Sequence, residues 1–228
     1  MIDGTHHGRH FFLSLWVIGV AVAGLAPSAS AHPHVWATVR SEIIFGPDQK
    51  VTGIRHAWTF DEFYSAMAVQ GLDADGDGKY SKEELDPLAK VNVESLNEFG
   101  YFTFVREAGN DKFLPLKPPE DYLIDYDGTA ITLHFTLPLQ TPVDPKAKDV
   151  TIDVYDPSFF VAFGFAEEAP VKVSGTPAEG CTAKVDTPDS EATEAAKALS
   201  ESFFSELGPG SDYGSQFAQT VNVTCASS

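Results

Sequence analysis

The stretch TAITLHFTL, residues 129–137, decides the class of fold. Ile131, Leu133, Phe135 and Leu137 alternate with Thr132, His134 and Thr136. Successive side chains of a strand point to opposite faces. The pattern therefore predicts a half-buried strand, with the apolar set on a core and the polar set toward water or a site. Upstream, residues 122–126 and the turn Asp127-Gly128 complete a hairpin signal.

The same reading extends outward. Residues 35–45 and 51–60 read as strands about a turn at 46–50. Asp61 caps a predicted helix running to about residue 72, with Phe63, Ala66 and Met67 on one face. A second helix is predicted from about residue 82 to 97, carrying Leu85, Leu88 and Leu96. Strands follow at 101–106, 113–116 and 150–155. The aromatic run 159–165 reads as a buried strand, with an exposed partner-binding patch as the alternative. Thr187 and Pro188 open a C-terminal helix that Gly208-Pro209-Gly210 ends after Leu207, and 217–225 is a last strand. The prediction is α+β: a mostly antiparallel β core, one inserted helix-loop-helix over 61–97 and a helix near the C-terminus.

The chain has 228 residues, 43% of them hydrophobic and 21% charged, which is a globular profile. Its formal net charge of -18 argues against nucleic acid, since a phosphate backbone rewards clusters of Lys and Arg. It favours cations instead. A weakly basic start, an apolar run at 11–25 and the small residues Ala29-Ser30-Ala31 read as a cleaved export signal over residues 1–31. The apolar run is short against the ~20 residues of a spanning helix. The mature chain, 32–228, is expected to be one exported domain without a membrane span. Two cysteines in such a chain pair, so Cys181 and Cys225 are expected to staple the part from 171 to 228.

DADGDGKYSKEE, residues 73–84, has the pattern of an EF-hand calcium loop. Calcium takes six to eight oxygen ligands at set positions of twelve. Asp73, Asp75 and Asp77 fill positions one, three and five, and Gly78 gives the turn at six. Lys79 offers its carbonyl at seven, Ser81 stands at nine and Glu84 is the bidentate ligand at twelve. Predicted helices flank the loop, as the motif requires. Tyr80 departs from the aliphatic residue usual at position eight, where two hands normally pair. No second loop is present in the sequence. A lone hand implies weak binding, ~10⁻⁴ to 10⁻³ M, and a bracing role rather than a sensing one. The plain alternative is an acidic turn without an ion.

Cleavage after Ala31 makes His32 the first mature residue. Its amine and imidazole can then chelate nickel, cobalt, copper or zinc, with His34 and His134 as further candidate ligands. The plain alternative is a frayed N-terminus. Counting back from a turn at Asp48 pairs Arg40 with His56, which leaves His34 about 20 Å from His56. His56, between Ile54 and Trp58 on one face, reads as a core histidine. Enzyme signatures such as G-x-S-x-G or H-E-x-x-H are absent. The chain therefore reads as a non-enzyme. Copper oxidative chemistry at an N-terminal histidine stands as a third reading.

AHPHVW, WTFDEFYSAM, the DADGDGKYSKEEL loop, YFTF, FTLPLQTPVD, VYDPSFFVAF and the late cysteine resemble a bacterial family known as domain of unknown function 1007. That family is described as the periplasmic component of an uncharacterised ABC-type transport system. The resemblance covers nearly the whole mature chain. It implies a periplasmic accessory protein for transition-metal transport of the nickel/cobalt type, partnered by a membrane metal transporter or an ABC permease. The positions matching its recurrent motifs are His32, His34, Trp58, Asp61, the calcium-like loop and Asp156-Pro157. The two-lobed pattern of a solute-binding protein is absent. A calcium-stabilised module that docks on a transporter without binding a transition metal is the alternative.

Overall fold

A computed structural model describes residues 33–186 and 212–226. The segment read as an export signal, His32 and the predicted C-terminal helix at 187–207 lie outside the described residues.

Among the described residues ten strands form two sheets. β1 (Val35–Phe45) and β2 (Val51–Phe60) are the first hairpin. β4 (Glu120–Tyr126) and β5 (Ile131–Val143) extend it on the side of β2. On the far edge of β1 lie, one after the other, β7 (Val161–Phe165) and β8 (Val171–Gly175), both parallel to it. The second sheet has the order β3 (Thr103–Glu107), β6 (Val150–Val154), β10 (Gln219–Cys225) and β9 (Cys181–Asp186), all antiparallel. The Cys181–Cys225 disulfide joins facing residues of β9 and β10.

The sheets pack face to face through Ile43, Ile54 and Leu139 from one and Val105, Ile152 and Val221 from the other. The rest of the first sheet's inner face is covered by helices. α1 (Glu62–Ala68) and α2 (Lys82–Leu96) connect β2 to β3. Leu85, Ala89 and Val93 recur every three to four residues of α2, which places them on one stripe. That stripe joins Trp58, Leu133 and Phe135 in one core. Asp61 caps α1 by accepting from the Tyr64 amide at 2.9 Å.

Three expectations need correction. The hairpin register is one residue out: Ser41, not Arg40, faces His56, because the pairing shifts between Ile44 and Phe45. The expected strand at 113–116 reduces to a single bridge between Leu116 and Leu139. α1 ends at Ala68 rather than near 72.

Candidate cation-binding loop and the histidines

The loop between α1 and α2 is shaped by its own carboxylates. Asp73 Oδ1 accepts from the amides of Gly76 and Asp77 at 2.8 and 3.2 Å, and its Oδ2 from Gly78 at 3.0 Å. Asp75 accepts from the Asp77 amide at 3.1 Å, and Asp77 from Lys79 at 2.7 Å. Gly76 and Gly78 have φ of 74° and 79°, which a side chain would strain. Ser81 and Glu84 form a reciprocal capping box at the start of α2. Glu84 Oε2 accepts from the Ser81 amide and hydroxyl, each at 2.8 Å, while Oε1 reaches back to the Ala74 amide at 2.7 Å. The Ser81 amide, then the Ala74 amide, hold the Glu84 carboxyl below the usual range.

Asp73, Asp75 and Glu84 each bring a carboxylate oxygen within 4.8 Å of the others. Oxygens sharing a calcium at 2.3–2.6 Å lie at most about 5 Å apart, so the three fit one hard cation. Asp77 stands outside that triad. Tyr80 turns from the loop onto the sheet, edge-on to Tyr126 of β4 with ring centroids 5.2 Å apart.

Among the described residues the histidines do not gather. His134 pairs with Asp125, Nε2 to Oδ2 at 2.8 Å, on the open face of the first sheet. It lies in register with Ala57, which faces Arg40. His34 lies six residues before Arg40, just ahead of β1, roughly 20 Å away at ~3.3 Å per residue. His34 and His134 therefore do not share an ion. The His34 ring lies 4.7 Å from that of Phe160.

His56 is fully buried between the sheets. The Thr103 hydroxyl donates to the Tyr101 carbonyl at 2.9 Å. Its oxygen must then accept from His56 Nε2–H at 3.2 Å, which leaves Nδ1 to accept from the Ser41 hydroxyl at 2.9 Å. Burial lowers the imidazole pKa to about 3, so His56 is a neutral core residue. Ser41 and Thr103 escaped the sequence reading, since neither periodicity nor motif marks them.

The other motif residues are structural too. Buried Asp156 accepts from Ser158 Oγ and its amide at 2.8 Å, and from the Val161 amide at 3.0 Å, which fixes the loop entering β7. Asp61 also accepts from the Trp36 amide at 3.0 Å.

With this geometry in place, comparison identifies the class of chain. A family described as "Protein of unknown function (DUF1007)" matches residues 17–225. The chain belongs to that family. An "Uncharacterized protein" of Haemophilus influenzae is 26% identical over 197 residues, 86% of this chain and 91% of that one. An "Uncharacterized 15.5 kDa protein in trpE 3'region" of Spirochaeta aurantia is 30% identical over 108 residues, 47% of this chain and 75% of that one.

Proposed function

We propose that the chain is an exported, non-enzymatic metal-binding accessory protein of a membrane transporter, acting in the bacterial periplasm. Calcium in the loop of Asp73, Asp75, Asp77, Lys79, Ser81 and Glu84 braces its helix pair. His32 and His34 form the proposed transition-metal site at the mature N-terminus. The observation that supports the reading best is the carboxylate triad Asp73, Asp75 and Glu84, ordered by backbone amides and set at a spacing one cation can span. Among the described residues no helix is long and apolar enough to cross a membrane, so a membrane partner would be met from outside the bilayer.

Calorimetric titration of calcium tests the brace. The expected dissociation constant is about 10⁻⁴ to 10⁻³ M, and Glu84→Gln should abolish the heat of binding. An undiminished titration in that variant would sink the calcium reading. A parallel titration with nickel or copper, on protein beginning at His32 and on protein with one residue before it, tests the N-terminal site.

A calcium-braced docking module without a transition metal is the second reading. The distance between His34 and His134 favours it, because the transition-metal set shrinks to the N-terminal pair.

A further inference from the structure

Gly164 stands in the interior of β7 without a need of the fold for glycine. Its backbone is not left-handed, and a Cβ there would meet nothing within 4 Å. Gly53 and Gly214 differ: each has a backbone oxygen close to where a Cβ would stand. A glycine inside a strand that the fold does not require marks a place where another molecule comes close.

The register shows what shares its surface. One row runs across five strands through Gly164, Thr38, Thr59, Thr132 and Asp125. At ~4.8 Å between strands it is about 19 Å long. The Thr59 and Thr132 hydroxyls meet at 2.9 Å. Two residues to either side of Thr38 on β1, and so on the same face, stand Trp36, opposite Ala162, and Arg40, opposite Ala57. Val35, Ala37 and Val39 alternate with them and are buried on the other face. Trp36 is 52% exposed, enough to present an indole face. Its backbone is held from both directions: the amide donates to Asp61 Oδ2 at 3.0 Å and the carbonyl accepts from the Asp61 amide at 2.9 Å. With Ala162 and Gly164 as its small neighbours, the surface beside the indole is level rather than grooved.

Chemistry selects the occupant. The charged groups of this face pair with one another: Glu42 meets Arg55 at 3.3 Å and Lys172 at 2.9 Å, and Asp125 meets His134 at 2.8 Å. The face therefore calls for no charged partner, and a net charge of -18 repels a polyanion. Among the described residues Arg40 has no ion-pair partner, which leaves its N–H fork for ligand oxygens. Threonine hydroxyls both donate and accept, as sugar hydroxyls do, and the C–H bonds of a sugar ring suit the electron-rich face of an indole. A level surface offers no holes for the side-chain anchors of a polypeptide. We infer that the outer face of the first sheet binds an uncharged glycan chain, one sugar ring lying on Trp36 and the chain passing Gly164 and Thr38 toward Arg40. The inference goes beyond the metal-binding reading and needs no ion.

The test is calorimetry of the exported protein with three uncharged hexasaccharides, chitohexaose, cellohexaose and maltohexaose, in buffer with EDTA at about 0.15 M salt. The expected result is binding of at least one at about 0.1 mM. Trp36→Ala should weaken it about tenfold or more. Gly164→Val should weaken it as much while holding or raising the melting temperature, because valine suits a strand better than glycine. That combination separates a ligand surface from a structural role; should Gly164→Val fail to fold, Trp36→Ala decides alone. No binding of any of the three overturns the proposal, as does binding undiminished in Trp36→Ala. A dimer in sedimentation that Trp36→Ala abolishes also overturns it and makes the occupant a second copy. EDTA removes calcium and transition metals, so the outcome is independent of the metal titrations above.

Discussion

His56 shows how a single buried side chain sets the pH range of the fold. Its imidazole is neutral, with the Nε2 proton given to Thr103 and Nδ1 accepting from Ser41. Among the described residues no carboxylate pairs with it. Desolvation alone lowers its pKa from 6.5 to about 3. The unfolded chain then binds a proton that the folded chain refuses. The stabilisation is complete above pH 6.5 and is lost as pH falls from 6.5 toward 3, by about 1.4 kcal/mol per unit. Urea unfolding should show His56 contributing roughly 3 kcal/mol to the loss between pH 7 and pH 4. His56→Gln should remove that part of the slope; an unchanged slope would refute the assignment. Its burial was legible from Ile54 and Trp58, its neighbours on one face. Its partners were not, because the shift between Ile44 and Phe45 is invisible in composition and moves a serine to where counting puts Arg40. Tyr80 is the reverse case. It is odd as a loop residue and ordinary once Tyr126 is beside it.

Element boundaries followed local chemistry wherever local chemistry governs them. β1 and β2 begin and end where alternation and the 46–50 turn put them. β5 runs past its expected end at Leu137 to Val143, because Pro138, which has no N–H to donate, is accommodated opposite Gly53 beside a register shift. A methyl group at Gly53 would lie 2.9 Å from the Leu137 carbonyl oxygen, so that glycine permits the approach. β3 starts at Thr103, later than expected, since Tyr101 and Phe102 take left-handed angles of 57° and 46° to turn the chain out of the preceding helical segment. β8 left no readable signal; it is short and pairs only along part of the outer edge of β1. The close of β8 depends on Gly175, with φ of 78° and no room for Cβ, which would sit 1.9 Å from the Phe45 carbonyl oxygen. Gly175→Ala should destabilise the protein by at least about 2 kcal/mol. Denaturant titration checks this, and an effect under about 0.5 kcal/mol would show that β8 is not pinned there.

At the scale of the molecule, the disulfide and the two sheets set stability together. Cys181 and Cys225 are 44 positions apart, and closing such a loop removes about 4 kcal/mol of unfolded-state freedom in the chain-entropy model. Reduction should lower unfolding stability by roughly that amount, a large share of the ~5–15 kcal/mol typical of a domain. A melting temperature unmoved by reductant would show that β9 and β10 hold without it.

Among the described residues the far edge of β1 is paired by residues 161–175, and β10 at residues 219–225 joins β6 to β9 in the second sheet. A ribosome therefore releases the first hairpin long before either edge has its neighbour. Contacts so distant in sequence form slowly. The half-made protein has nothing with which to seal its core, and completion waits until the last strand has emerged. The topology itself keeps the nascent polypeptide open until its last strand has been made.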